Sequence, residues 1–367
     1  MKKVLVVNTI PSLPDYGQFN VAFNYVKISK EHYQYDFLFA IKSKNDAKLT
    51  LEEMGINVLY PSVSRLKQPI RYMMWLRKLM TEKKYDILHV HGNSATMYLE
   101  IHAAKMAGIE KRICHVHSTT CKYMLVHKLF KKPMLKEMTA AVACSREAGQ
   151  WIFGNHFVVL PNGINTERFA YQDTMRNEIR NMFGLQDKYV IGQAGTLDKQ
   201  KNYEYSIDLV HVLKAEMKNV VLIIVGDGAL REQLTAKVKS LDLGNDVIFL
   251  GKRNDIERIY SAMDCFIFPS ISEGFGLVLI EAQASGLSCI ASDRVPQITQ
   301  VSDHTVYLPL ENQRVWMEQI KKFAEEKKDR KQESHANIEA IIRKGYDMRD
   351  NVNHLIELYG DNSERQN

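Results

Sequence analysis

The sequence predicts an α/β protein built as two doubly wound parallel sheets. Three observations carry the prediction. Short β-branched runs alternate with amphipathic stretches, the βαβ pattern of a parallel sheet with helices on both faces. The alternation breaks and restarts near the middle of the chain. The 367 residues also exceed what one small core needs, so two domains are the natural division. We place the first domain at 1–165 and the second at 166–345. Residues 346–367 read as a helix returning toward the first domain, with a frayed end.

In the first domain, strands are expected at 4–7, 35–40, 57–60, 86–90 and 112–116. Helices are expected between them at 19–29, 46–54, 69–83 and 94–106. Gly55, Pro61 and Gly108 punctuate these runs as stop signals. The opening Met1-Lys2-Lys3 before an apolar run resembles a signal peptide. That run is short, holds Asn8 and Thr9, and lacks a small-residue cleavage site, so it reads as the first strand. A strand at 157–160 then runs into the turn Pro161-Asn162-Gly163, and 170–188 is polar and helical. The second series has strands at 189–194, 220–225, 247–250, 265–269 and 289–291, with helices at 203–214, 230–240, 256–262 and 277–285. From 314 onward the chain is charged and helical. Two such domains in tandem imply a cleft, and open parallel sheets bind ligands beyond the carboxyl ends of their strands.

Composition removes several classes. No run approaches the roughly 18 apolar residues of a membrane span, so a cytoplasmic protein is expected. The five cysteines are scattered and lack C-x-x-C pairing, against a disulfide framework or a structural zinc site. There is no G-x-G-x-x-G, no P-loop, no G-x-S-x-G and no Asp-x-Asp pair. These absences weaken dinucleotide, NTPase, hydrolase and metal-held nucleotide readings. The net charge of +6 is uneven: residues 1–165 hold 23 Lys and Arg against 12 Asp and Glu. A basic first half suits a phosphorylated ligand, nucleic acid or an anionic membrane surface.

The chemistry gathers at strand ends in the second half. The stretch Ser270 to Glu281 holds Glu273, Gly274, Phe275 and Gly276, and then the start of a helix at Leu277 and Val278. Its glycines permit close backbone approach, and the helix N-terminus favours an anion. Glu273 and Glu281 flank that start, and carboxylates suit sugar and ribose hydroxyls on either side of a diphosphate. A second loop, Gly195 to Asn202, brings Thr196 and the cations Lys199 and Lys201. Gly226-Asp227-Gly228 and Gly251-Lys252-Arg253 end two further strands. Each piece alone is also an ordinary turn, cap or solvated loop. Their succession on neighbouring strand ends is the specific signal.

With these residues the chain resembles glycosyltransferase family 4, retaining enzymes of the GT-B fold, in which two Rossmann-like domains face each other across a cleft. The spacing of Glu273 and Glu281 matches that family's main signature. The stretches 157–169, 191–202, 221–234 and 247–293 also fit its pattern in order, and 85–93 and 112–118 fit more loosely. The likeness is greatest to enzymes of bacterial capsule and exopolysaccharide synthesis. It implies a hexosyltransferase that moves sugar from a nucleotide-sugar donor, with UDP the expected nucleotide, to a glycan or lipid-diphosphate-saccharide hydroxyl. No metal or other cofactor is implied. By this resemblance Glu281 holds the donor ribose and Glu273 the donor sugar. Gly274, Phe275, Gly276, Leu277 and Val278 form the diphosphate turn, and Lys201 meets the leaving diphosphate. Gly195, Thr196, Gly228 and Arg253 complete the donor pocket, with Gly17 approaching it from the first domain. Two departures stand out. Thr196 occupies a position where the family usually carries Arg, and Tyr16-Gly17 replaces a Gly-Gly pair.

In the first domain His89-Val90-His91 and His115-Val116-His117 sit at strand ends. Each pair faces one way, as a metal site requires. No carboxylate or thiol set completes one, and the pairs read equally as a polar cleft rim. The resemblance puts His117 beside the reacting sugar as a hydrogen-bond donor or proton relay, a catalytic role alongside Glu273 and Lys201. Residues 65–84 and 122–136 mix cations with apolar side chains, which suits peripheral attachment to the inner face of an anionic membrane. They also suit helices packed on their own sheet with a solvated basic edge. No nucleic-acid motif accompanies them. Against the enzyme reading stands a non-catalytic GT-B accessory or glycan-binding protein, for which Thr196 and the missing glycine argue.

Overall fold

The computed structural model describes residues 1–9, 17–41, 48–119, 121 and 123–360. It divides into two compact units, one of residues 1–163 together with 348 onward, the other of 164–347.

The first unit opens with β1 (Lys2–Asn8), α1 (Gly17–Ser29), β2 (Tyr33–Phe39), α2 (Lys48–Glu53), β3 (Asn57–Leu59), α3 (Pro69–Lys83), β4 (Ile87–Gly92), α4 (Tyr98–Met106) and β5 (Lys111–Val116). It continues with α5 (Met124–Glu137), β6 (Ala140–Ala143), α6 (Arg146–Phe153) and β7 (Val158–Val159). The strands order as β3-β2-β1-β4-β5-β6-β7, and every described pairing is parallel. The helix–strand–helix run of α5, β6 and α6 fills the span where the sequence pattern breaks. Pro133 inside α5 and the plain Ala-Ala-Val-Ala of β6 hide these elements from periodicity.

The second unit holds α7 (Thr166–Phe169), α8 (Asp173–Phe183), β8 (Tyr189–Ala194), α9 (Tyr203–Leu213), β9 (Val220–Val225), α10 (Arg231–Ser240) and β10 (Val247–Gly251). Then follow α11 (Ile256–Ala262), β11 (Cys265–Phe268), α12 (Leu277–Ala284), β12 (Ser288–Ser292), β13 (Thr305–Leu308), α13 (Gln313–Glu325) and α14 (Arg330–Arg343). Its parallel sheet orders as β10-β9-β8-β11-β12-β13. The helix expected over 170–188 is confined to α8, which Gly184 stops in the left-handed region at φ +64°. A last helix, α15 (Met348–Tyr359), belongs to the first unit and packs on α1.

Each sheet is covered on both faces. In the first unit, Tyr72 and Leu76 of α3, Ile101 of α4, Met134 of α5 and Ile152 of α6 cover one face. Tyr25 of α1 with Val352, Leu355 and Tyr359 of α15 cover the other. In the second unit Ile179, Ile259, Leu279 and Ile341 lie on one side, and Ile207, Leu234 and Trp316 on the other. Burial of this kind, at about 25 cal/mol per Å² of apolar surface, is the main force holding each unit together.

Candidate functional site

The second unit's loops meet at the carboxyl edge of its sheet because β10, β9, β8 and β11 are neighbours running the same way. Backbone bonds join them. The Gly195 N–H donates to the Val225 carbonyl at 3.0 Å, Leu197 to Asp227 at 3.0 Å and Gly226 to Gly251 at 2.8 Å. The Gly226 position admits no side chain. Its φ is +135°, and an added Cβ would collide with the Gly195 carbonyl. At Gly228 a Cβ would lie 2.6 Å from the Leu197 carbonyl oxygen. Two of the glycines thus serve loop against loop, which leaves Gly195 and Thr196 at the accessible edge.

The 195–202 loop is pinned from below. Buried Gln193 accepts from Ser206 Oγ at 2.6 Å and donates to the Lys201 carbonyl at 2.7 Å. Asp198 accepts from the Lys201 N–H at 3.0 Å. Tyr203 donates from its hydroxyl to the Gly195 carbonyl at 2.9 Å. These side chains fix where Lys201 points, and its ammonium meets Glu273 at 2.6 Å, with 17% and 7% of the two side chains exposed. The same nitrogen lies 4.9 Å from the centre of the Phe268 ring. The Glu273 loop is tied to the lysine loop by Ile271 N–H to the Gln200 carbonyl at 2.8 Å, and by Gln200 Nε2 to the Ser272 carbonyl at 2.6 Å.

Beyond Glu273, Gly274 is exposed and Phe275 stands edge-on to Tyr346. Gly276 takes the left-handed conformation at φ +96° and begins α12 without a side-chain cap. That leaves the N–H groups of Leu277 and Val278 at the start of the helix for a ligand, while the Leu279 N–H already donates to the Gly276 carbonyl at 3.0 Å. Glu281, one turn on, is half-buried, and Tyr260 donates to its Oε2 at 3.0 Å. Loss of water pushes the Glu281 carboxyl up to about 7, against the lowering effects of the Tyr260 hydroxyl and of Arg168. Arg253 is held in a two-pronged pair with Asp255 at 2.8 and 2.7 Å, so much of its hydrogen-bonding capacity is already engaged. Sequence reading missed Gln193, Ser206, Asp198, Tyr203 and Tyr260. A polar Gln at the end of the otherwise apolar β8 was the one signal available.

Gly17 and His117 lie in the first unit, Gly17 as the first residue of α1. Tyr16 lies outside the described residues. His117 just follows β5, and its Nε2 is 2.9 Å from Nδ1 of His91. The two His-Val-His runs form one buried column. Rings of His89 and His91 are 4.2 Å apart, His91 and His115 4.8 Å, and His115 and His117 4.3 Å. Tyr359 of α15 reaches His89 Nδ1 at 2.8 Å. His89 Nε2, both nitrogens of His115 and Nδ1 of His117 have no partner among the described residues. Desolvation drives all four imidazoles to the neutral form, with His89 and His117 lowered to about 3. Donor atoms of His89, His91 and His115 lie within 4.8 Å of one another. The His89 and His115 planes, however, are within 3° of parallel, so those lone pairs run side by side rather than toward one point.

Two doubly wound parallel sheets of this kind are the architecture of the GT-B glycosyltransferases. Residues 175–340 match the family model of glycosyl transferases group 1, and 43–168 that of glycosyltransferase family 4. EpsF of Bacillus subtilis, named as a glycosyltransferase, is 29% identical over 93% of this chain and 92% of its own. The Escherichia coli UDP-Gal:alpha-D-GlcNAc-diphosphoundecaprenol alpha-1,3-galactosyltransferase is 31% identical over 65% of each chain. The structure of Anabaena HepE in complex with UDP superposes with a TM-score of 0.76 at 20% identity, covering 97% of this chain and 99% of that one. The chain is a glycosyltransferase of GT-B type, its second half matched by the group 1 model and much of its first half by the family 4 model.

Proposed function

We propose that the chain transfers a hexose, with retention of configuration, from a UDP-sugar to a hydroxyl of a lipid-linked saccharide in bacterial surface polysaccharide synthesis. The observation that carries this is the Lys201–Glu273 pair set beside the uncapped start of α12, one helical turn from Glu281. UDP is favoured because HepE was crystallised with it and the E. coli relative is named for a UDP-sugar. The lipid-linked acceptor follows from that relative's printed acceptor.

In this reading Glu281 accepts from the ribose hydroxyls, with Tyr260 holding its carboxyl in place. The N–H groups of Gly276, Leu277 and Val278 take the diphosphate. Lys201 neutralises charge as the diphosphate departs, and fixed donors and cations of this kind supply the main electrostatic gain. In the unliganded chain that cation is spent on Glu273. Donor binding therefore re-divides the pair: Lys201 turns to the phosphate, and Glu273 is released to the sugar hydroxyls. Thr196 adds no charge, so Lys201 bears the phosphate burden with exposed Lys199 as the nearby cation. Gly195, Gly228 and Arg253 border the donor. The first unit is assigned to the acceptor, with Gly17 kept for the donor and His117 for the reacting sugar, and no metal is called on. The protein works on the cytoplasmic side of the membrane that carries its acceptor.

Calorimetric titration with UDP, GDP and ADP, without added metal, tests the reading. UDP should bind in preference, and Glu281→Ala should weaken it by roughly 1.5–3 kcal/mol, the worth of hydrogen bonds to a charged group. A folded protein that binds no nucleotide would move the assignment to a non-catalytic glycan-binding protein.

A further inference from the structure

Arg168, in the short helix α7, grips the second unit beside Glu281. Its backbone N–H donates to Asn165 Oδ1 at 3.1 Å, the cap that starts α7. From there its guanidinium makes three bonds. Nε and Nη2 both donate to Glu257 Oε2, at 3.0 and 2.7 Å, and Nη2 donates to the Asn254 carbonyl at 2.6 Å. Asn254 lies in the strand-end loop between β10 and α11, the loop that also carries Arg253, and Glu257 lies in the first turn of α11. One side chain thus ties that loop to the helix after it. The next residue continues the support. Phe169 is buried, with its ring 5.5 Å from the Arg168 guanidinium and 6.0 Å from the Tyr260 ring. Tyr260 stands one turn beyond Glu257 on α11 and donates to Glu281 Oε2 at 3.0 Å. A line of neighbours therefore runs from α7 to the Glu281 carboxyl.

We propose that Arg168 is a positioning residue for the donor nucleotide: it clamps the loop after β10 to the start of α11, and so sets both the loop that borders the donor and the tyrosine that holds Glu281. A planar fork suits this task, because it bonds a carboxylate and a carbonyl at once. Resting on the reading of Glu281 as the ribose acceptor, this gives Arg168 its effect on the donor through neighbours. Its charge works in the same direction. The Arg168 cation favours the Glu281 carboxylate, and the Glu257 anion opposes it. Of the other elements packed on α12, α14 brings Arg330, which donates to the carbonyls of Ser285, Met263 and Tyr260 at 2.7, 2.8 and 2.9 Å. Strand β12 brings Cys289, whose buried thiol is pushed up to about 12 and stays neutral.

The test is calorimetric titration of the full chain with UDP-glucose, across the pH range in which Glu281 titrates, for the wild type, Arg168→Gln, Arg168→Lys and Glu257→Gln. At the alkaline end, with Glu281 ionised, both Arg168 variants should weaken binding by about three- to tenfold, since neither replaces the fork. The charge effects should then separate. Arg168→Gln should move the acid break of binding to higher pH, Arg168→Lys should leave it in place, and Glu257→Gln should move it lower. A merely structural ion pair would not give shifts of opposite sign from its two partners. Unchanged circular dichroism would show that the variants fold. Wild-type affinity in Arg168→Gln would overturn the proposal. So would breaks in Arg168→Gln and Glu257→Gln that move together or stay at the wild-type pH. Failure of the underlying reading looks different: the wild type would bind no UDP-glucose, or Glu281→Ala would bind it as the wild type does, and either result would remove the role of Arg168 as well. Weakened binding in Glu281→Ala beside wild-type binding in Arg168→Gln would leave the ribose reading standing and remove Arg168 alone.

Discussion

The two units share an architecture but keep their polar groups at different depths. In the second, Lys201, Glu273 and Glu281 lie beyond the strand ends, in loops or on the first turns of a helix, where a ligand can complete their bonding. In the first, His89, His91 and His115 lie within β4 and β5 and His117 just past the end of β5. All four face the side covered by α1 and α15, where Tyr25 and Tyr359 meet the column. One unit has arranged charge for an incoming molecule. The other has placed titratable rings where the core keeps them neutral, and that difference sets how each should respond to pH and mutation.

The largest expected effect is acid loss of the first unit. His89 and His117, lowered to about 3 in the folded chain, regain an ordinary value near 6.5 when it unfolds. Below pH 6.5 the unfolded chain binds more protons, so stability falls as pH falls. At pH 5 each of these two costs about 2 kcal/mol. Urea unfolding at pH 7 and pH 5, followed by hydrogen exchange, should show the first unit opening before the second. His115→Leu, which removes a buried ring with two unpartnered nitrogens, should make that slope shallower. Equal acid sensitivity in both units would break the contrast.

A somewhat smaller effect is expected at the lysine–glutamate pair. Lys201→Ala or Glu273→Ala should lower turnover by about 10²–10³, the usual loss for one fixed electrostatic group. Because the two side chains touch, the double variant should lose much less than the product of the single losses. Full turnover in Glu273→Ala would remove the role assigned to it, and strictly multiplicative losses would mean that the pair does not act as a unit.

The same contrast explains what was legible beforehand. The second unit's site is local in sequence: glycines after strands and two carboxylates spaced around a helix start could be read directly, and the structure brings Lys201 and Glu273 together from strand ends that the alternation had placed on one edge without ordering them. The histidine column could be seen only as two separate His-Val-His runs. Its contact depends on the register that sets His91 opposite His115, and on Tyr359 arriving from α15, more than two hundred residues away. Elements α5, β6 and α6 were missed for a related reason. A helix with an internal proline and a four-residue alanine-rich strand carry weak local signals, and tertiary packing decides them. The supports of Lys201 were equally hidden, because Gln193 acts through the backbone carbonyl of a residue eight positions on.

The smallest effect concerns Glu281, a site group of the second unit that behaves as the histidines of the first do. Desolvation raises its carboxyl to about 7, as it lowers the histidines, and in both cases the neutral form gains. An acid raised in this way makes the folded state lose stability as pH climbs from about 4.5 to 7, the reverse of the histidine slope. The carboxylate is the stronger acceptor for hydroxyls. Binding of a UDP-sugar, whose diphosphate diester does not titrate in this range, should therefore weaken below pH 7 by at most about tenfold per pH unit, the limit set by uptake of one proton. Glu281→Gln should flatten the profile. Tyr260→Phe removes the hydroxyl that holds the carboxyl down, so it should move the break to higher pH while leaving its depth. A profile that survives Glu281→Gln would place the titrating group elsewhere. A Tyr260→Phe break at the wild-type pH would show that the 3.0 Å bond does not tune the acid, and that desolvation alone sets it.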